Sequence, residues 1–356
     1  MVLWLLILFL GGIAASVHAG ETWMVATRGS TDELVKLENS SVRFVHALGS
    51  TVQCGLNEHL IALISHKKHT GEHHLEVIDR ESGSLVATWP IVGRSPIRYL
   101  EGVSDEIVLL DGIAYFPTLP PAPNGLPASS WSEHPFAMSS IRLTDGAMTS
   151  IVLEGSANPR IRRSGHSVLM FEQPGNGIRK FDAEQQKFVA TASARAARTF
   201  EQERQALRSR AIDRSAITRN LFHPSHGLFR LSRFGRIEHL LDANLEDVID
   251  DGSIDIGSSR GIYAIRIGGG GVDIVYEREH SYDVVQTDFR SMQVARVFAL
   301  PKTVRAADMY RTDAGAHIYW DYESGELTKQ TANRRESLGT FDRRTYSAIR
   351  VLASTE

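Results

Sequence analysis

Five arginines carry the clearest chemical signal in this chain. They close the short motifs S-P-I-R, A-N-P-R, A-I-T-R, K-T-V-R and S-A-I-R, at Arg98, Arg160, Arg219, Arg305 and Arg350. A guanidinium keeps its charge at physiological pH and presents donors in a planar fork, so several gathered in one concave place favour a carboxylate or phosphate. The competing reading is that each arginine pairs with a neighbouring carboxylate. The two readings differ in where the chain's elements carry these five residues.

Other candidate groups read as ordinary surface. His66 to His74 contains four histidines and two lysines. Such tracts can take a transition metal, but this one reads as a solvated loop between strands, and no Cys pair or HExxH helix accompanies it. Asp242, Glu246, Asp247, Asp250, Asp251 and Asp255 crowd together without the order of an EF-hand loop. Gly268 to Gly271 is followed by the strand-like Val272-Asp273-Ile274-Val275-Tyr276 rather than a helix, so it reads as a turn and not a phosphate loop. Ser164-Gly165-His166-Ser167-Val168 lacks the second glycine of a nucleophile elbow. Cys54, the only cysteine, reads as packing in an opening strand and excludes an intrachain disulfide. Neither a metal nor a cofactor is expected.

The elements that must position the arginines are strands. Leu75 to Asp79 leads through Arg80-Glu81-Ser82-Gly83 into Ser84 to Trp89, a hairpin with a polar reversal ending in glycine. Similar hairpins turn near Asn39, Asp145, Glu184, Phe234, Arg290 and Arg334. The mean interval is about 49 residues, in the range of four-stranded propeller blades. The expected fold is therefore all-β: a seven-bladed β-propeller in one domain, residues 20–356. Two insertions interrupt the repeat: a Pro-rich loop from Pro117 to Pro135, and a helix from Ala192 to Arg214 whose surplus of arginine over acidic residues suits a solvated face. Ser347 to Leu352 resembles Ser95 to Leu100, so the chain is expected to end on an opening strand that completes the first blade and closes the ring.

Within this repeat, the run E-V-I-D-R-E-S-G-S-L-V-A-T-W-P-I (Glu76 to Ile91) resembles the strand pair of YVTN-type propeller repeats, which also occur in the heavy chains of periplasmic amine dehydrogenases. The resemblance implies the fold and carries no activity. The apolar run from Leu3 to Ile13, ending in Ala-Ser-Val-His-Ala, reads as a signal peptide over residues 1–19 with cleavage after Ala19. Export to a periplasm or to the outside is expected, with no membrane contact after cleavage. A net charge of −3 gives no electrostatic footprint for nucleic acid, and 42% hydrophobic residues suffice for a core. With no complete catalytic motif, the expected role is a binding protein or scaffold for a protein partner or a small anionic ligand. The alternative is the propeller subunit of a periplasmic oxidoreductase whose cofactor sits on another chain.

Overall fold

A computed structural model describes residues 20–67, 70–97, 107–120, 136–153, most of 159–189, most of 219–305, and 308–354. The expected signal peptide, the expected helix from Ala192 to Arg214, and Arg98 lie outside the described residues.

The strands form seven separate antiparallel sheets arranged as the blades of a propeller. Blade 1 contains β1 (Glu21–Arg28), β2 (Thr31–Glu38) and β3 (Ser41–Ala47). Blade 2 contains β4 (Ser50–Leu56), β5 (Leu60–Lys67), β6 (Glu72–Asp79) and β7 (Leu85–Ile91). In blade 3 the innermost position is shared by β8 (Ser95–Pro96) and β9 (Val108–Leu110), followed by β10 (Ile113–Leu119), β11 (Phe136–Arg142) and β12 (Met148–Leu153). Blade 4 runs β13 (Pro159–Ser164), β14 (Ser167–Glu172), β15 (Gly177–Asp182) and β16 (Lys187–Val189). Blade 5 runs β17 (Arg219–His223), β18 (Gly227–Leu231), β19 (Arg236–Leu241) and β20 (Ser253–Asp255). Blade 6 is β21 (Ile262–Gly268), β22 (Gly271–Glu277), β23 (Ser281–Asp288) and β24 (Gln293–Pro301). Blade 7 is β25 (Tyr310–Arg311), β26 (His317–Trp320), β27 (Glu326–Gln330) and β28 (Arg335–Thr340). The final strand, β29 (Ala348–Ser354), pairs with β1 and supplies the inner strand that blade 1 lacks.

Both faces of an interior blade are covered, and period two divides each strand between them. In β1, Trp23 and Val25 pack toward blade 2, while Met24 and Ala26 pack toward blade 7. In blade 2, Ile61, Leu63 and Ile78 face blade 1, while Ala62, Ile64, Leu75 and Val77 face blade 3. Each fully buried aliphatic side chain of this kind contributes about 1.5–3 kcal/mol, so the stability of any blade resides largely in its neighbours. Outer strands have one dry face only: in β7, Leu85 and Val86 are exposed while Ile91 is buried.

Turn chemistry sets the register. Asn39 (φ 50°) and Ser40 (φ 60°) make the two-residue reversal between β2 and β3, the conformation hairpin twist demands. Gly146 (φ +73°) closes the β11–β12 turn beneath the Trp89 ring of blade 2, where an added Cβ would lie 2.3 Å from the indole. Space and backbone both require glycine there.

Three expectations need correction. The turn near Phe234 joins the second and third strands of its blade, β18 and β19, whereas the other six turns join the third and fourth. The blade count is unaffected, because each blade is still marked once. The start of the expected Pro-rich loop is strand: Pro117 sits inside β10 opposite Met138, at the gap between β8 and β9, where the inner neighbour makes no ladder bond, and residues 121–135 lie outside the described residues. The ends of the histidine tract are strand and not loop, since His66 lies in β5 and His73 and His74 lie in β6, while Lys68 and His69 lie outside the described residues.

Closure by β29 makes a direct prediction. Deleting residues Tyr346 to Glu356 exposes the inner edge of β1 and uncovers Met24 and Ala26, so the whole domain should melt at a lower temperature in one transition. Scanning calorimetry of the truncated and full-length proteins checks this, and identical melting would remove closure from the account.

Candidate functional site

The inner strands of a propeller all run the same way, so their first residues share one mouth of the central channel. Arg160 is the second residue of β13, Arg219 the first of β17 and Arg350 the third of β29. The topology therefore brings three of the five motif arginines to one end of the ring. Arg350 alternates with Ile349 and Val351, which pack between blades 7 and 1, so it stands on the opposite face of β29, where it is half-buried.

Arg305 differs. The K-T-V-R motif suggests an inner strand, but that strand is Tyr310–Arg311, and Arg305 is exposed in the connection leading to it. Its Nε lies 3.1 Å from Asp308 Oδ2, and its Nη1 donates to the Ser347 carbonyl at 3.5 Å. Arg305 thus ties the entry of blade 7 to the entry of the closing strand, at the same mouth, with a carboxylate already beside it.

Sequence reading missed two residues beside the inner strand of blade 3. Arg94 directly precedes β8 and is half-buried; its Nε donates to Thr118 Oγ1 at 3.1 Å and its Nη2 to the Thr118 carbonyl at 3.5 Å. Burial pulls its pKa below the usual arginine value. From Thr118 Oγ1 a chain of hydroxyls continues to Ser139 at 2.7 Å and to Ser150 at 2.8 Å, crossing blade 3 to its outer strand. Gln53, fully buried in β4, donates from Nε2 to the carbonyls of Ile97 (2.9 Å) and Pro117 (3.2 Å). It fills the gap in the inner strand of blade 3, and its Oε1 has no hydrogen-bond partner among the described residues. Neither residue belongs to a repeated motif; the break in the repeat around Pro96 and Pro117 is the signal that could have found them.

At the other end of blades 6 and 7 lies a buried polar network. Asp273 on β22 accepts Arg311 Nη1 at 3.0 Å and pairs with His317 Nε2 at 2.8 Å, while Arg311 Nη2 donates to the Thr287 carbonyl at 3.2 Å. Asp273 and His317 are wholly buried, which suits a staple between blades and not a ligand site. Gly271 allows it to form, since a Cβ there would sit 2.0 Å from the Thr287 oxygen and 3.2 Å from Arg311 Nη1. Next to it, His223 packs against Phe289 (ring centroids 5.8 Å apart) and His226 (4.8 Å), and its Nδ1 accepts the Ser225 N–H at 3.2 Å. Burial, with repulsion from His226 and Arg311, pulls the His223 pKa from 6.5 to about 4.

Among solved structures, the chain is similar to a functionally unknown protein from Desulfotomaculum acetoxidans, at 14% identity over 93% of this chain and 98% of that one, with a TM-score of 0.51. It also aligns with apo AztD from Citrobacter koseri (8% identity, 95% and 98% coverage, TM-score 0.49). Hsv2 from Kluyveromyces lactis aligns as well (9% identity, 89% and 96% coverage, TM-score 0.49). None of these is an amine dehydrogenase heavy chain. No protein-family model and no curated protein matches the chain. The first similarity bears on fold alone.

The buried histidine predicts an acid limit. With the folded-state pKa of His223 depressed, the stability gained from the neutral ring is complete above about 6.5 and is lost as pH falls toward 4. The melting temperature should fall across that window, and His223→Gln should flatten the fall while leaving most of the neutral-pH stability. An unchanged slope in the variant would contradict the assignment.

Proposed function

We propose that this chain is an exported, non-catalytic propeller that captures a small ligand carrying carboxylate or phosphate groups at the strand-opening mouth of its channel. One observation carries the reading: Arg160, Arg219 and Arg350 enter the ring at the same end, each within the first three residues of an inner strand. Arg94, drawn partly out of water beside β8, is a further arginine at that mouth. Guanidiniums held together repel one another, and an anion that bridges them relieves the repulsion. The fork geometry favours planar oxyanions over halides. Export rests on the leader-like run ending at Ala19.

Two experiments test the proposal. At low ionic strength, citrate and inorganic phosphate should raise the melting temperature as their occupancy grows. The variant carrying Arg160→Ala, Arg219→Ala and Arg350→Ala should fold and lose that response. An absent response, or an equal one in the variant, would overturn the anion reading. Separately, intact-mass analysis of protein recovered from outside the cytoplasm should begin at Gly20; a chain retaining Met1 in the membrane fraction would overturn export.

A further inference from the structure

Blade 2 holds two imidazoles that the sheet register, and not chain proximity, puts side by side. Along the antiparallel β5–β6 pair His66 stands directly opposite His73. Their ring centroids are 4.9 Å apart and their planes are inclined at 44°. Both are half-buried, so the rings are held by the strands yet open to water at the end of the hairpin.

Period two then sorts the surrounding charges. His66 and His73 share the face of Ile64 and Leu75, which pack toward blade 3. Lys67 and Glu72, opposed to each other one step further out, fall on the reverse face, as does His74. That face also carries Glu76, which accepts from Ser65 Oγ at 3.0 Å and lies 3.3 Å from His46 of blade 1. The Lys67 charge therefore does not stand on the face where the two rings meet.

Two adjacent imidazoles are a liability when charged and a ligand pair when neutral. Neutral imidazole nitrogens suit zinc, copper and nickel, and are poor ligands for calcium or magnesium.

We propose that His66 and His73 form a two-nitrogen site for a divalent transition-metal ion, with water completing the coordination. Among the described residues no three or more His, Cys, Asp or Glu side chains are grouped to hold a metal, so the site is open and exchangeable, unlike a closed structural zinc centre. The His223 and His226 pair of blade 5 lacks this character, since His223 is buried and its Nδ1 is engaged by a backbone N–H. The metal would bridge the middle two strands of blade 2, at the same end of the ring as the arginine mouth but away from the channel.

The test uses the full chain with Cu²⁺ and Zn²⁺ as probes. Titration calorimetry should give one equivalent of Cu²⁺, and its electron paramagnetic resonance spectrum should show coupling to two nitrogens. Zn²⁺ should raise the melting temperature by clipping β5 to β6. His66→Ala and His73→Ala should each weaken binding at least tenfold, while His74→Ala and His46→Ala, on the reverse face, leave it unchanged. If His73→Ala compromises folding, His73→Gln and the single His66→Ala variant carry the comparison. Undiminished binding in folded variants lacking either ring, binding lost only with His69→Ala, or no binding to the wild-type chain would overturn the proposal.

Discussion

The pairing of β29 with β1 is the constraint on which the rest of this structure depends. Each interior strand divides its apolar residues between two neighbouring blades, so no blade can dry both faces alone. A linear row of such blades would leave a wet apolar face at each end. A ring removes both ends, but only if the first and last blades are joined; here the C-terminal strand is built into the N-terminal sheet. Ile349 and Val351 of that strand share a core with Met24 and Ala26 of blade 1 and with Ile318 and Trp320 of blade 7. One strand therefore completes a sheet and seals the junction between first and last blades.

Because the blade faces are committed to packing, polar chemistry is driven to the strand ends and to a few paired junctions. Between blades 1 and 2, Glu21 meets Lys36 at 3.0 Å and Arg80 at 3.2 Å; Lys36 is almost wholly buried and also meets Glu38 at 2.8 Å. Between blades 6 and 7, Asp273 meets Arg311 and His317. Such pairs cost nearly as much to desolvate as they return, and their use is in fixing how one blade sits on the next. What remains for binding is the ring's two mouths and the hairpin tips. The arginine-bearing mouth and the His66–His73 pair both lie in that remainder.

Much of the fold was legible because turn residues and period-two runs are local signals. Asp79 to Gly83 and the Asn39-Ser40 reversal announce their hairpins without reference to anything distant. The phase of blade 5 was not legible: its second and third strands meet at the tight Gly235 turn, while the third and fourth are separated by a longer connection from Asp242 to Gly252, so the most visible hairpin is not the equivalent one. Arg305 misled because its motif matches the others while the inner strand starts five residues later, at Tyr310. Arg94 and Gln53 were invisible because their roles come from the split inner strand of blade 3. The histidine tract looked like a loop because lysines and histidines are poor strand markers, and only the β5–β6 register shows that two of them face each other.

Native-state hydrogen exchange tests the closure claim most directly. If β29 is an integral part of blade 1, the amides of Val351 and Leu352 should exchange with the same free energy as those of Met24 and Val25, through opening of the whole ring. Fast exchange across residues 348–354 with β1 and β2 still fully protected would mean that the C-terminal strand is a removable edge, and would contradict the account.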